Sequence, residues 1–139
     1  MRTSRLLVAV AAAAAIMFTT VSPAAGYAGF GDVEAPERGG FYTEGVQWMT
    51  NLGITQGVTE TCFAPYDAVT RGQAATFLHR MEGKPAAPRA GFGDVPDDAF
   101  FADAVDWMVD QDITQGFEAN TFGPERPLTR GQFATFLWR

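Results

Sequence analysis

The sequence has little of what catalytic and metal-binding sites are usually built from. Its 139 residues include one cysteine, Cys62, and one histidine, His79. A lone cysteine excludes an intrachain disulfide, and without an adjacent base it favours a small, loosely held residue over a reactive thiol or an intermolecular disulfide. Because no nucleophile has a base beside it and no metal-ligand cluster is present, we expect no enzyme activity, no metal and no other cofactor.

Basic residues are also scarce. The chain has 10 Lys and Arg residues against 16 Asp and Glu residues, a formal net charge of -6. This balance excludes nucleic acid as an expected partner, because binding to the phosphate backbone relies on clustered cations. One acidic stretch does not have the spacing of an EF-hand loop and is better explained as a solvated face. It comprises Asp94, Asp97, Asp98, Asp103 and Asp106.

Long apolar runs are confined to the N-terminal segment. Arg2 and Arg5 precede an alanine-rich apolar run over residues 6–17, and small residues follow at 22–26. This order is typical of a secretory signal peptide, and the run is short for a membrane span. We therefore predict a signal peptide over residues 1–26 and a secreted mature protein without a membrane span.

What the sequence does contain is an internal duplication. The pentapeptide Gly-Phe-Gly-Asp-Val occurs at 29–33 and again at 91–95, and from Phe41 to the last residue the two copies align without a gap at an offset of 59. Two prolines and two glycines at 82–91 favour a semi-extended connector between the copies. We predict repeat one over residues 29–83, a linker over 84–90, and repeat two over 91–139.

The first helix of each repeat is predicted from apolar residues that recur at helical spacing after Phe41 and Phe100. In repeat one the helix should run from Phe41 to Leu52 and end at Gly53, which suits a left-handed cap, whereas repeat two has the less favourable Asp112. The apolar face comprises Phe41, Val46, Met49 and Leu52 in repeat one, and Phe100, Ala104, Val105 and Met108 in repeat two.

The second helix of each repeat has a clear start signal. Thr70 with Gln73, and Thr129 with Gln132, match the capping-box pattern in which the two residues satisfy each other's backbone N–H groups. An apolar stripe follows each box. It comprises Ala74, Phe77, Leu78 and Met81, and then Phe133, Phe136 and Leu137. The fold class is therefore predicted as all-α, with a helix, a long loop and a helix in each repeat, and with the two repeats packed together.

These motifs, in this order and in duplicate, resemble the S-layer homology domain. The motifs are Phe-x-Asp-Val, a tryptophan-containing helix, Ile-Thr-x-Gly, Phe-x-Pro, Thr-Arg-x-Gln and a closing Phe-Leu-x-Arg. The resemblance implies an incomplete form of a pseudo-trimeric helical bundle. It also implies a noncovalent anchor at the cell wall or cell surface that binds cell-wall polysaccharide, often one bearing pyruvate ketals. The family's Thr-Arg-Ala-Glu is replaced here by Thr-Arg-Gly-Gln, which keeps the arginine but not the acid, so the resemblance does not carry the family's polymer preference over to this chain.

The candidate polysaccharide contacts follow from this resemblance and from side-chain chemistry. Arg71 and Arg130 are the first candidates, because an arginine at a helix N-terminus is well placed to bind a carboxylate. An ion pair across the repeat junction would explain the presence of these arginines equally well. Trp48 and Trp107 offer flat faces to sugar rings or belong to the core. The remaining candidates are Gly57 and Gly116, which permit close backbone approach, and Asp32 and Asp94, which accept hydroxyl bonds or cap turns.

Two other interpretations remain open. The first is a structural module that associates with itself, completing the bundle, or with another exported protein, because two repeats leave one sector of a threefold bundle unfilled. Exposed apolar surface at that sector would favour it. The second is the anchoring remnant of a larger exported protein, since no effector domain follows the last motif residue.

Overall fold

The computed structural model describes residues 27–38 and 40–139. The predicted signal peptide lies outside these residues. Four α-helices form the described part: α1 over Thr43–Asn51, α2 over Arg71–Met81, α3 over Ala102–Asp110 and α4 over Arg130–Trp138. Two short 3-10 helices, Tyr27–Gly29 and Pro36–Arg38, precede α1. The described residues contain isolated β-bridges and no named strand, so the all-α prediction is confirmed.

The first helix of each repeat begins later than predicted. Tyr42 and Phe101 are the N-cap residues and make no side-chain capping bond. After both helices the chain turns through a left-handed residue, Gly53 at φ +66° and Asp112 at φ +56°. Because these residues occupy equivalent positions, the aspartate adopts the strained conformation that glycine adopts freely.

The second helices begin as predicted. Thr70 Oγ1 accepts a hydrogen bond from the Gln73 N–H at 3.2 Å, and the Gln73 side chain accepts one from the Thr70 N–H at 3.0 Å. Thr129 and Gln132 form the same reciprocal pair at 3.3 and 3.0 Å. Both capping boxes are therefore confirmed, and each satisfies two backbone donors that a helix start leaves unpaired.

Part of the predicted apolar face of the first helices is wrong. Phe41 is 96% exposed and Phe100 is 65% exposed, because both lie before the helix and so do not follow its periodicity. Leu52 is also exposed, because it is the C-cap residue of α1 rather than a helical one. On the second helices the stripe is correct at Ala74, Leu78 and Phe136, but Met81, Phe133 and Leu137 are exposed.

The buried core is shared unequally between the repeats. The larger cluster is built mainly from α3 and the loops of repeat two, and α2 of repeat one contributes Ala75 and Leu78 to it. The smaller cluster, Phe30, Val33 and Val46, lies under α1. The main helix–helix contact of the described chain is accordingly between α2 and α3, across the repeat boundary.

Backbone hydrogen bonds also join the repeats at the start of α2. The Arg71 N–H donates to the Arg126 carbonyl oxygen and the Gly72 N–H donates to the Pro124 carbonyl oxygen, both at 2.9 Å. The Leu128 N–H donates to the Val69 carbonyl oxygen at 2.9 Å. The start of the second helix of repeat one is therefore docked on the loop that precedes the second helix of repeat two.

The linker is held to the helices on both sides. His79 Nε2 donates to the Pro85 carbonyl oxygen at 2.9 Å, and the His79 ring packs against Trp107. Further along, Asp106 accepts bonds from the Arg89 side chain at 2.8 Å and from the Ala90 N–H at 2.9 Å. These contacts fix the path from α2 to repeat two, so the linker is extended but not loose.

Candidate functional site

Arg71 stands at the junction of the two repeats. Its side chain is 3% exposed, and Nε donates to the Phe122 carbonyl oxygen at 2.9 Å. The guanidinium carbon lies 4.8 Å from the centre of the Phe122 ring and 5.3 Å from that of Phe136, which is cation–π distance. Nη2 is buried and has no hydrogen-bond partner among the described residues. Because buried donors are normally paired, this nitrogen is an unmet donor.

A cavity of about 330 Å³ lies beside Arg71, between the start of α2 and repeat two. One wall is the segment 113–117, which includes Gly116, and the other is formed by Gln132 and Phe136 of α4 together with Arg139, which follows the helix. In the part of the chain that the structure describes, two arginine side chains and no Asp or Glu residue line this cavity. It is therefore a positive concave surface on an acidic protein.

The electrostatics of Arg71 follow from its position. Burial lowers the pKa of its guanidinium below the ordinary value, the positive charge of Arg126 adds to this, and Asp94 opposes it. Arginine nevertheless stays protonated at neutral pH. Residues 27–38 and 40–139 contain no carboxylate in ion-pair contact with it. An anionic group in the cavity would therefore meet the positive charge of Arg71 without competition from a protein carboxylate paired to it.

Arg130, the counterpart of Arg71, lies in a different environment. It is exposed at the start of α4. It lines a separate apolar groove of about 230 Å³, together with Val69, Phe77, Leu128 and Phe133. The sequence assigned the two arginines the same role, and the structure does not bring them into one site.

The two tryptophans also differ. Trp107 is 7% exposed and belongs to the larger core cluster, so of the two alternatives it is the core residue. Trp48, at the equivalent position on α1, is 50% exposed and keeps an accessible ring. The difference arises because α2 covers α3, whereas the described structure contains no helix in the corresponding place over α1.

Gly57 and Gly116 are required by the loops themselves. Both have positive φ, +78° and +92°, which favours glycine. A Cβ at Gly116 would lie 2.6 Å from the Phe92 ring and 2.8 Å from the Thr121 carbonyl oxygen, and one at Gly57 would meet Phe30 in the same way. The glycine hydrogens therefore face packed protein, and of the two residues only Gly116 lines the Arg71 cavity.

Asp32 and Asp94 hold the loops that carry the Phe-x-Pro motifs. Asp32 accepts bonds from the Phe63 and Ala64 N–H groups at 2.9 and 2.7 Å. Asp94 accepts the equivalent bonds from Phe122 and Gly123, both at 2.8 Å. Burial acts to raise the pKa of Asp32, but these bonds and one from Cys62 outweigh it and lower that pKa below its ordinary value. Both side chains therefore make the contacts expected of residues that cap turns.

Sequence reasoning missed three features of the cavity. Arg139 lines it and donates weakly to the Ile113 carbonyl oxygen at 3.4 Å, and Phe136 supplies an aromatic wall. Gln132, which was predicted only as a capping residue, also lines it. The closing Phe-Leu-x-Arg motif was a signal for Phe136 and Arg139, but only the position of α4 brings these residues opposite Arg71.

No helix in the described residues has the length and apolar character that a membrane span requires. The same residues contain no group of three or more His, Cys, Asp or Glu side chains placed to hold a metal ion. The expectation that the protein has no metal or other cofactor stays a prediction.

Comparison with known proteins places these features in context. The sequence model of the S-layer homology domain matches residues 37–75 and 91–134, one segment in each repeat. The chain is 31% identical over 133 residues to the Surface-layer 125 kDa protein of Lysinibacillus sphaericus, an alignment that covers 96% of this chain and 11% of that protein. No solved structure matches the chain.

Two further relatives are similar. The chain is 29% identical over 150 residues to the Cell surface protein of Thermoanaerobacter kivui, covering 100% of this chain and 19% of that protein. It is 28% identical over 82 residues to the Cellulosome-anchoring protein of Acetivibrio thermocellus, covering 55% of this chain and 18% of that protein. The chain thus spans less than a fifth of the length of each of the three relatives.

Proposed function

Because the chain belongs to the S-layer homology domain family, we propose that it is a noncovalent anchoring module that binds a secondary cell-wall polysaccharide. It is a protein of the cell surface or cell wall, as its family and its surface-layer and cell-surface relatives indicate. One of these relatives is named for anchoring a cellulosome. The family and the relatives support a structural role, and we propose that the chain has no catalytic activity.

The observation that carries the proposal is the unmet donor of Arg71. Its Nη2 is buried without a partner among the described residues, and Arg71 lines a cavity that Arg139 also lines. A carboxylate of the polymer, such as that of a pyruvate ketal, would gain from both positive charges and would accept from Nη2 once the guanidinium turns toward the cavity. Gln132 and Thr135 supply polar groups for sugar hydroxyls. The Phe117 ring, 40% exposed, adds apolar surface beside them, and the Arg126 guanidinium covers one of its faces at 3.7 Å from the ring centre.

The other predicted contacts lie on other surfaces. Gly57 lines a separate cavity, and neither Trp48 nor Arg130 lines the Arg71 cavity. We propose that Arg71 and Gly116 belong to the primary site. A binding role for the other predicted contacts stays a prediction, and it requires a polymer long enough to reach beyond the junction. These contacts are Trp48, Trp107, Arg130, Gly57, Asp32 and Asp94.

The remaining parts of the proposal concern the whole chain. Residues 1–26 would direct export, repeat one over 29–83 and repeat two over 91–139 would form the anchor, and 84–90 would connect them. The two repeats would occupy two sectors of a pseudo-trimeric bundle. The contact between α2 and α3, which buries Ala75 and Leu78 of repeat one in the core of repeat two, supports this arrangement.

The test is cosedimentation of the protein with purified cell-wall sacculi, before and after extraction of the attached polysaccharide. Wild type should pellet only with polymer-bearing walls. Arg71→Lys keeps the charge but loses the forked donor, and Arg139→Gln removes a charge from the opposite wall of the cavity. Each should weaken binding by about tenfold or more, the value of a charge-assisted hydrogen bond.

Arg38→Gln serves as the matched control, because it removes the same charge from an exposed residue away from the cavity. Circular dichroism must show that every variant is folded, since Arg71 also bonds to Phe122. Binding that survives polymer extraction, or that Arg38→Gln weakens as much as Arg139→Gln, would contradict the proposal.

A further inference from the structure

A third arginine, Arg126, lies next to the Arg71 cavity. It belongs to the loop that precedes α4, and its carbonyl oxygen accepts the hydrogen bond from the Arg71 N–H at 2.9 Å. Its guanidinium carbon lies 3.7 Å from the centre of the Phe117 ring. Phe117 lines the cavity, whereas Arg126 does not. The charge of Arg126 is therefore beside the cavity, against one of its lining rings, rather than within it.

The position of the Arg126 side chain depends on Gly123. A Cβ at Gly123 would lie 2.6 Å from Arg126 Cδ and 3.2 Å from Arg126 Cγ, so the missing side chain leaves the space that the arginine stem occupies. The turn between them is fixed, because the Arg126 N–H donates to the Gly123 carbonyl oxygen at 3.1 Å and the Gly123 N–H donates to Asp94 at 2.8 Å. The loop thus directs the arginine onto Phe117.

Repeat one has none of these three residues. At the repeat offset of 59, the counterparts of Phe117, Gly123 and Arg126 are Val58, Ala64 and Asp67. The turn itself is the same in both copies, since Ala64 has φ +57° and Gly123 has φ +73°. The fold of the loop therefore does not require the ring, the space or the cation. All three are found together at the junction of the repeats, where the local charge changes from negative to positive.

The charge of Arg126 has no protein partner. Both ion pairs of residues 27–38 and 40–139 belong to Arg89, and no carboxylate there pairs with Arg126. Arg126 is exposed, and its charge helps to lower the pKa of the Arg71 guanidinium, so the two cations are close enough to repel each other. A bound anion would relieve this repulsion.

The contact with Phe117 leaves the hydrogen-bond donors of Arg126 free. A ring attracts a guanidinium placed over its face, and the N–H donors of the guanidinium lie in its plane, along its edge. The ring therefore restricts the side chain without using its donors. A carboxylate can bind at that edge with a lower ordering cost than at an unrestrained arginine.

We propose that Arg126 is a further binding residue of the polymer site and takes a second carboxylate of the same polysaccharide chain, outside the cavity that takes the first. This inference rests on the proposed function, and it specifies the substrate class as a polysaccharide with carboxylates on more than one sugar. Asp67, the counterpart in repeat one, would repel such a group. The pair of residues therefore also selects the face of the protein along which the polymer runs.

The experiment uses fragments of the wall polysaccharide, released from the sacculi and sorted by mass into those with one carboxylate and those with more. Binding is measured by isothermal titration calorimetry. Arg126→Gln should weaken binding of the multiply charged fragments about threefold to tenfold and change binding of the singly charged ones little. Arg126→Lys keeps the charge and should recover most of the loss. Arg139→Gln should weaken binding of both classes, and Arg38→Gln, at an exposed arginine elsewhere, should weaken neither.

Gly123→Ala provides a second variant, which displaces the arginine and keeps its charge. The new methyl group meets the Arg126 stem, and Ala64 shows that alanine is accepted in this turn. Binding of the multiply charged fragments should again be the more affected. Salt separates a charge effect from a displaced Phe117 ring. In about 1 M sodium chloride exposed charges are screened within about 3 Å, so wild type and Arg126→Gln should become nearly equal.

The outcomes distinguish this inference from the anchoring function. An equal loss for both classes of fragment, or a loss that persists in high salt, would make Arg126 a support for Phe117 and overturn the inference while anchoring stands. A polysaccharide with a single carboxylate per chain, or an Arg126→Gln protein that binds like wild type, would also overturn it. A wild type that binds no fragment would contradict the proposed function, and the inference with it. Circular dichroism must show that each variant is folded.

Discussion

Arg71 and Arg130 have identical neighbours in sequence and opposite environments in the structure. Both follow a capping threonine and precede Gly-Gln, so the local sequence predicted one role for both. Arg71 is buried because a loop of repeat two lies over it, and Arg130 is exposed because the described chain places no third loop there. Local sequence rules cannot predict an environment that the neighbouring repeat creates.

At the same scale, Asp32→Asn should lower the free energy of unfolding. The carboxylate accepts three hydrogen bonds in the folded state, and an amide oxygen replaces only part of them. The loss at neutral pH should be about 1–3 kcal/mol, measured by urea unfolding. Asp98→Asn, at an exposed aspartate, is the control and should change little.

The pH dependence of this variant follows from the lowered pKa of Asp32. A carboxyl group whose pKa is lower in the folded state stabilises the fold at pH values above its ordinary pKa, 3.8. It loses that contribution as the pH falls through the folded-state pKa. The difference between wild type and Asp32→Asn should therefore be full at neutral pH and shrink below about pH 4. A difference that stays constant down to pH 3 would contradict this account.

At the scale of the helices, the second pair was predictable and the first pair was predictable only in part. A capping box is a local feature, since its two residues lie three apart, and both boxes form as the sequence indicates. The first helices begin without a side-chain cap, so nothing local marked their start, and Phe41 and Phe100 were wrongly placed on the buried face.

The helix glycines provide a matched test of the repeat contact. Gly72→Ala should destabilise the protein by about 1 kcal/mol, because the new methyl group meets the buried Phe101 ring and this strain exceeds the gain in helix propensity. Gly131→Ala has open space and should stabilise by about 0.5–1 kcal/mol. Thermal unfolding at low protein concentration measures both. Equal shifts of the same sign would show that Gly72 is not packed as described.

At the scale of the molecule, the duplication predicted the number of helices, their order and their packing across the repeat boundary. It did not predict that the copies share the core unequally. Repeat two contributes most residues of the larger cluster, and repeat one contributes Ala75 and Leu78 to it. The cluster under α1 is small. Two copies that share the same motifs in the same order do not reveal this asymmetry, because it depends on which copy follows which.

A fragment of residues 27–83 should therefore fail to fold alone. Its second helix would expose the face that repeat two covers, and a chain of this size has little other core. Circular dichroism should show weak helix content and no cooperative transition, and addition of a fragment of residues 84–139 should increase the helix signal. Cooperative unfolding of the first fragment by itself would refute the shared-core description.

The polarity of the repeat contact has a genetic consequence. At the junction the start of α2 in repeat one contacts the loop 122–128 of repeat two, and the two copies match without a gap from Phe41 onward. Unequal crossing-over between the coding segments of two repeats would add or delete a whole unit in register. The product would repeat the same internal junction, so the number of repeats can vary while the contact between adjacent repeats is inherited unchanged.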